Sequence, residues 1–203
     1  DQPRNYFGED SPDYSIVGAP EGDEPRELDF PDDTSPTGQR NNTYTGSGGV
    51  GVGDIFHKLL FAARFQDPNI VLSSLVNSES KILFDREPVT RVAKVAPWLT
   101  IDGDPYPVVV EGRVKWIMDA YTTTSSYPYS SRTTLSDATA DALTATSTSV
   151  VTLPSERINY LRNSVKAVVD AYDGTVALYA WDATEPMLRN WTKAFGGTVT
   201  PVA

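Results

Sequence analysis

The sequence predicts an α+β fold: an antiparallel sheet built from two hairpins and covered on one face by helices, with an extended acidic arm at the N-terminus. Three observations predict it. Two segments alternate with period two beside X-Gly turn pairs. The stretches 54–66, 88–96 and 185–195 carry apolar residues at helical spacing. Prolines at positions 3, 12, 20, 25, 31 and 36 bar a long helix before residue 40, since each removes a backbone donor and constrains its predecessor. The expected organisation is an arm over residues 1–45 packed on the body, then a single α+β domain over 46–203. A length of 203 residues agrees with one domain plus an appendage.

The arm holds most of the charge. Residues 1–33 contain eleven acids against Arg4 and Arg26, a balance of −9 in a chain whose net charge is −10. Its composition reads as a solvated lead-in, anchored by Tyr6-Phe7, Tyr14 to Val17 and Leu28 to Phe30. The Gly-rich run from Thr45 to Gly53 follows, and Asp54 is a good N-cap for a helix from Ile55 to Gln66. Phe56, Leu59, Leu60, Ala63 and Phe65, with Ile55, Phe61 and Ala62, leave that helix a narrow polar face, so it is expected to be mostly buried. The glycine run is not a phosphate loop: Gly53-Asp54-Ile55 stands where a Gly-Lys-Ser/Thr would be needed, and an aspartate there repels phosphate. A second helical piece is expected at 69–76 and a short strand at Lys81 to Phe84. A third helix starts at Pro88, a residue suited to the first helical turn, and stops before Pro97.

After Trp98 the period becomes two. Ile101 to Asp104 is a turn, Tyr106 to Val110 a strand, Glu111-Gly112 a two-residue hairpin turn, and Arg113 to Tyr121 the returning strand. A Ser/Thr-rich surface excursion spans 130–153, with a short helix expected at 136–145. A second hairpin joins Ser164 to Tyr172 with Thr175 to Trp181 through Asp173-Gly174, a type I′ signal. Glu185 to Phe195 is an amphipathic helix with Leu188, Trp191 and Phe195 on one side, ended by Gly196-Gly197.

Composition excludes several chemistries. Cysteine is absent and histidine occurs once, at His57, which removes disulfides, thiolate metal sites and any site with two histidine ligands. The body lacks the basic surface that nucleic acid requires, no run reaches the ~18 apolar residues of a membrane helix, and no cofactor motif is present. The chain as given is expected to be soluble, without a signal peptide and without a membrane span of its own.

An internal echo supplies the candidate site. Val114 to Tyr121 and Val165 to Tyr172 agree at five of eight positions, 51 residues apart. As strands, each puts Lys, an apolar residue, Asp and Tyr on one face and core residues on the other. One reading makes Asp119 and Asp170 a carboxylate pair, with Tyr121 and Tyr172 as platforms for a sugar or peptide. The other makes the strands neighbours whose lysines and aspartates neutralise one another. Tyr127 and Tyr129, around Pro128, form a candidate contact site in a loop. Asp102 and Asp104 resemble the start of a calcium loop but lack its remaining ligands. His57 reads as a packed or half-exposed side chain.

Several strings resemble a known family. They are Asn5 to Glu9, Val95 to Leu99 with Asp102 to Val109, Trp116 to Thr124 with Tyr127 to Ser130, and Asn159 to Val176. Together they are similar to a large bacterial membrane-protein family, the uncharacterised protein family numbered 0182, with the likeness ending near Phe195. The resemblance implies several N-terminal membrane helices followed by a large region on the extracytoplasmic side of the plasma membrane, of which this chain is a part. It implies as partners the protein's own membrane-spanning and remaining outer regions and other envelope proteins, and it carries no reaction onto any residue. The expectation is therefore a non-enzymatic extracytoplasmic module serving assembly or binding at the cell envelope. The rivals are an envelope glycan-binding or hydrolase domain using Asp119 and Asp170, and a calcium-dependent adhesion or sensor domain.

Overall fold

The computed structural model describes residues 2–134 and 157–202. The Ser/Thr-rich excursion beyond residue 134, with its expected helix at 136–145, lies outside the described residues. Residues 10–86 form one compact unit, and residues 1–9 with 87–203 form another.

In the 10–86 unit, strands β1 (Tyr14–Val17), β4 (Val50–Gly51) and β5 (Lys81–Phe84) make an antiparallel sheet in the order β1-β5-β4, and β2 (Glu27–Pro31) pairs with β3 (Gln39–Asn42) in a separate ribbon. Asp54 is extended (φ −96°, ψ 156°) and accepts the His57 N–H at 3.0 Å, which starts helix α1 (Ile55–Phe65); Gln66 ends it in the left-handed region at φ 54°. Gly53 lies so close to the backbone of Ser78 that no Cβ fits, which gives the glycine run a packing use. Helix α2 (Asn69–Leu72) is shorter than expected because Ser73 turns extended, at ψ 126°. The core here is Val52, Phe61, Ile70, Val76 and Ile82, with Tyr14, Ile16, Ala62, Phe65 and Phe84 packed against it.

The expectation of a buried α1 is overturned. Only Phe61 of the helix is buried, and Ile55, Phe56, Leu59 and Leu60 are 53–69% exposed. The physical reason is the size of the unit's sheet. Three strands of two to four residues offer room for one stripe of the helix, so the other apolar stripe stays outside. α1 thus gives Phe61, with Ala62 and Phe65 packed beside it, to this unit's own core.

The other unit is built on helix α3 (Pro88–Val95), strands β6 (Thr100–Ile101), β7 (Tyr106–Val110), β8 (Arg113–Thr124), β9 (Thr133–Thr134), β10 (Arg157–Ile158), β11 (Tyr160–Asp170) and β12 (Val176–Ala180), helix α4 (Pro186–Ala194) and β13 (Val199–Pro201). The main sheet runs β13-β12-β11-β8-β6, and β7 pairs β8 along the same edge as β6; β9 and β10 pair with each other. The ladder is antiparallel except for β13, which joins β12 in parallel and was not anticipated.

The two hairpins differ in their turns. Glu111 (φ 52°) and Gly112 (φ 71°) both take positive φ, as a two-residue I′ turn requires. The β11–β12 connection runs from Ala171 to Thr175 and places only Gly174 at positive φ (72°), so it is not the I′ turn expected at Asp173-Gly174. The cause is Asp170, whose carboxylate accepts the Tyr172 and Asp173 amides at 2.9 and 3.2 Å and winds the chain into a wider loop.

Helices α3 and α4 start alike. Glu87 and Glu185 precede a proline at N1, and each carboxylate accepts two amides of the first turn. Val89, Val92 and Ala96 from the α3 segment and Leu188 from α4 share one core with Trp116, Met118 and Ala120 of β8, Val165, Ala167 and Val169 of β11, and Leu178 of β12. The N-terminal residues close this unit. The Tyr6 and Phe7 amides bond to the Ala171 carbonyl at 2.7 and 2.9 Å, and Phe7 is 1% exposed.

Candidate functional site

The two echoing segments are extended and adjacent. β8 and β11 pair antiparallel, with Lys115 opposite Asp170 and Asp119 opposite Lys166. Their core sides are buried through Trp116, Met118, Ala120, Val165, Ala167, Val169 and Ala171. The other side carries the candidate residues, as the period-two reading requires.

Asp170 is 3% exposed and is held by cations of the neighbouring strand: Lys115 Nζ at 2.7 Å and Arg113 Nη2 at 2.9 Å. Arg113 also reaches Asp173 at 2.9 Å and lies over the Tyr172 ring, whose edge meets Tyr6. Tyr172 is buried. Asp119 pairs with Lys166, whose ammonium sits 5.4 Å from the centre of the Trp181 ring. Each aspartate is thus neutralised by a cation of the opposite echo. Four residues of strand separate Asp119 from Lys115, the residue opposite Asp170, which is a distance of ~13 Å. A glycosidase needs its carboxyl groups within ~9.5 Å, so the structure does not bring these two together.

Tyr121 donates its hydroxyl to Asp102 at 3.1 Å, and Asp102 also accepts the Asp104 amide at 3.2 Å. Among the described residues no group of three or more His, Cys, Asp or Glu side chains converges as a metal site. Asn159 accepts the Tyr127 amide at 2.9 Å and donates to its carbonyl at 2.7 Å, and the ring stacks on Tyr160. Tyr129 is fully exposed at φ 59°. His57 is bonded to Asp54 on α1.

A polar group that sequence reasoning missed lies at the start of α4. Glu185 is 2% exposed; it accepts the Tyr160 hydroxyl at 2.7 Å, the Thr122 hydroxyl at 3.1 Å and the amides of Met187 and Leu188. Four donors satisfy the carboxylate without a cation. The Glu-Pro pair was a legible cap signal, but the tyrosine and threonine come from other strands. Beside α4, a groove of about 460 Å³ is lined by Ala180, Leu188, Val199 and Pro201, with Arg189 and Lys193 on the helix.

Three tyrosines donate to carboxylates, and each phenol is pushed up to about 12. The hydrogen bond to Asp67 leads for Tyr14, and burial leads for Tyr121 and Tyr160, reinforced by Asp102 and Glu185 respectively. A phenol whose folded pKa lies above its ordinary value of 10 holds its proton more tightly in the native state. Its contribution to stability is whole below pH 10 and is lost as pH rises towards 12. Titration followed at 295 nm should show Tyr14, Tyr121 and Tyr160 ionising late. Asp67→Asn should return Tyr14 towards 10 without moving the other two, and an unchanged late fraction in that variant would refute the assignment.

Comparison with known proteins gives a consistent result. The family described as "Uncharacterised protein family (UPF0182)" matches residues 1–203, so the likeness runs past Phe195, where the sequence reading ended it. A "UPF0182 protein" of Arthrobacter sp. (strain FB24) is 56% identical over 200 residues, covering 98% of this chain and 20% of that protein. A "UPF0182 protein" of Kineococcus radiotolerans is 55% identical over 204 residues, covering 100% and 20%. One of Clavibacter michiganensis subsp. michiganensis is 50% identical over 202 residues, covering 100% and 20%. The chain therefore spans about a fifth of the length of the curated relatives it matches. No solved structure matches it.

Proposed function

The chain belongs to the uncharacterised protein family UPF0182, and from that premise we propose that it is a non-enzymatic extracytoplasmic module of a polytopic bacterial membrane protein, serving assembly or binding at the cell envelope. The observation that carries this reading is the reciprocal neutralisation of the echo. Lys115 engages Asp170 and Lys166 engages Asp119, so the carboxylates available for acid–base work hold two strands together. No helix among the described residues is long and apolar enough to cross a membrane, and the relatives have some four-fifths of their length elsewhere.

Sidedness is testable because the chain has no cysteine. Tyr129→Cys in the full-length protein places a thiol at a fully exposed position. A membrane-impermeant maleimide added to intact cells should label it above the parent protein. Labelling only after lysis would overturn the extracytoplasmic placement.

One observation favours the glycan-binding alternative as a second reading. On the side of the sheet away from the helices, Tyr106, Tyr179 and Trp181 are 50%, 37% and 61% exposed, with Lys166 against the Trp181 ring. If that face binds sugar, soluble envelope glycan should release heat on titration into the protein and Trp181→Ala should abolish it. No heat with the parent protein discards this reading.

A further inference from the structure

We infer that the outer stripe of α1 is a docking surface for another part of the same full-length polypeptide, beyond the 203 residues of this chain. Ile55, Phe56, Leu59, Leu60 and Ala63 recur at helical spacing along one side, and the four large side chains are 53–69% exposed. The opposite side, through Phe61, Ala62 and Phe65, is used by the unit's own core. Helix α2 and the turn after it add Leu72 at 77% and Leu75 at 62% exposure. Exposed large apolar side chains concentrated in this way mark an interaction site.

The charges around the stripe select the occupant. Interfacial membrane helices carry free Lys or Arg on their polar side. Here the Lys58 ammonium donates to the Val76 carbonyl at 2.8 Å, Arg64 lies over the Phe65 and Phe84 rings, and His57 is bonded to Asp54. Residues 10–86 carry 13 acids and 6 bases, a balance of −7. That charge opposes an anionic bilayer surface, and it opposes a second copy, because pairing the stripes would bring two such units together. An apolar segment of the same polypeptide meets neither obstacle. About four-fifths of each relative's length is available to supply it, and tethering raises its effective concentration to the ~mM range without any other contact. The inference rests on the reading of this chain as one module of a larger protein, but not on the side of the membrane it occupies.

The test places photoreactive benzoylphenylalanine at Leu59 in the full-length protein, with the same group at Glu111 as a control. Irradiation and peptide mapping should give cross-links within one polypeptide from position 59 to residues outside this chain, absent from the control. Cross-links to lipid, to a second copy or to residues of this chain, or no product above the control, would overturn the inference. Leu59→Glu with Leu60→Glu should leave the unfolding midpoint of this chain unchanged and cause loss of the assembled full-length protein. A drop in the midpoint of the chain itself would assign the stripe to folding and also overturn it. Outside cross-links together with a Tyr129→Cys thiol unreachable from the cell exterior would sink the sidedness proposal alone.

Discussion

Asp170→Ala is expected to lower the unfolding free energy by about 3 kcal/mol, the lower end of the range for removing one partner of a buried ion pair. The carboxylate is 3% exposed and accepts from Lys115, Arg113 and the amides of Tyr172 and Asp173. Its loss strands Lys115, leaves Arg113 with Asp173 as its carboxylate partner, and frees the loop they help to fix. The cations are themselves 27% and 35% exposed, so water relieves part of the penalty. Asp170→Asn keeps an oxygen for the loop amides and should cost about 1–2 kcal/mol. Asp119→Ala, at a site 28% exposed with a single lysine partner, should cost less than about 1 kcal/mol. Urea unfolding of the three variants checks the order. Equal effects at 119 and 170 would show that the environments of the two pairs do not differ energetically.

Phe7→Ala should be comparably severe, about 3–5 kcal/mol, as for other buried Phe truncations. The ring fills a place that several distant parts of the unit create together. Arg91 lies 4.6 Å from its centre, Trp116 donates its indole N–H to the Phe7 carbonyl at 2.8 Å, and a Cβ on Gly174 would come within 2.6 Å of the ring. Gly174→Ala should therefore be destabilising twice over, through its φ of 72° and through that contact. Hydrogen exchange should show the Tyr6 and Phe7 amides, bonded to Ala171, losing protection in Phe7→Ala before the amides that join β8 and β11. Full protection at both amides in that variant would mean that the segment is held by its backbone alone.

The large sheet was legible because its signals are local. Period-two alternation placed Lys115, Asp119, Lys166 and Asp170 on one side, and the repeated Lys-to-Asp spacing made neighbouring strands the economical arrangement. The cap at Asp54 and the proline at 88 announced their helices in the same way. What could not be read was decided by distant residues. Nothing in the sequence of α1 reveals that the strands beside it are too short to cover both of its apolar stripes. Glu185 finds Thr122 and Tyr160 only after two strands have paired, and Asp170 widens a loop that Asp173-Gly174 would otherwise close tightly. The binding candidates divide along the same line: Tyr129 is as exposed as its loop suggested, while Tyr172 is covered by Tyr6 and Arg113.

The antiparallel echo also acts as a combination lock on folding. With Lys115 facing Asp170 and Asp119 facing Lys166, sliding β11 by two residues in one direction sets all four charges against uncharged neighbours, and in the other it leaves only Asp170 a charged partner, Arg113. Sliding it by four sets Lys115 against Lys166 in one direction and Asp119 against Asp170 in the other. Strands so far apart along the chain must search many offsets before they zip, and topologies dominated by such remote pairings fold slowly. Offsets that bring like charges together are disfavoured, so these side chains favour the native register over its slipped alternatives.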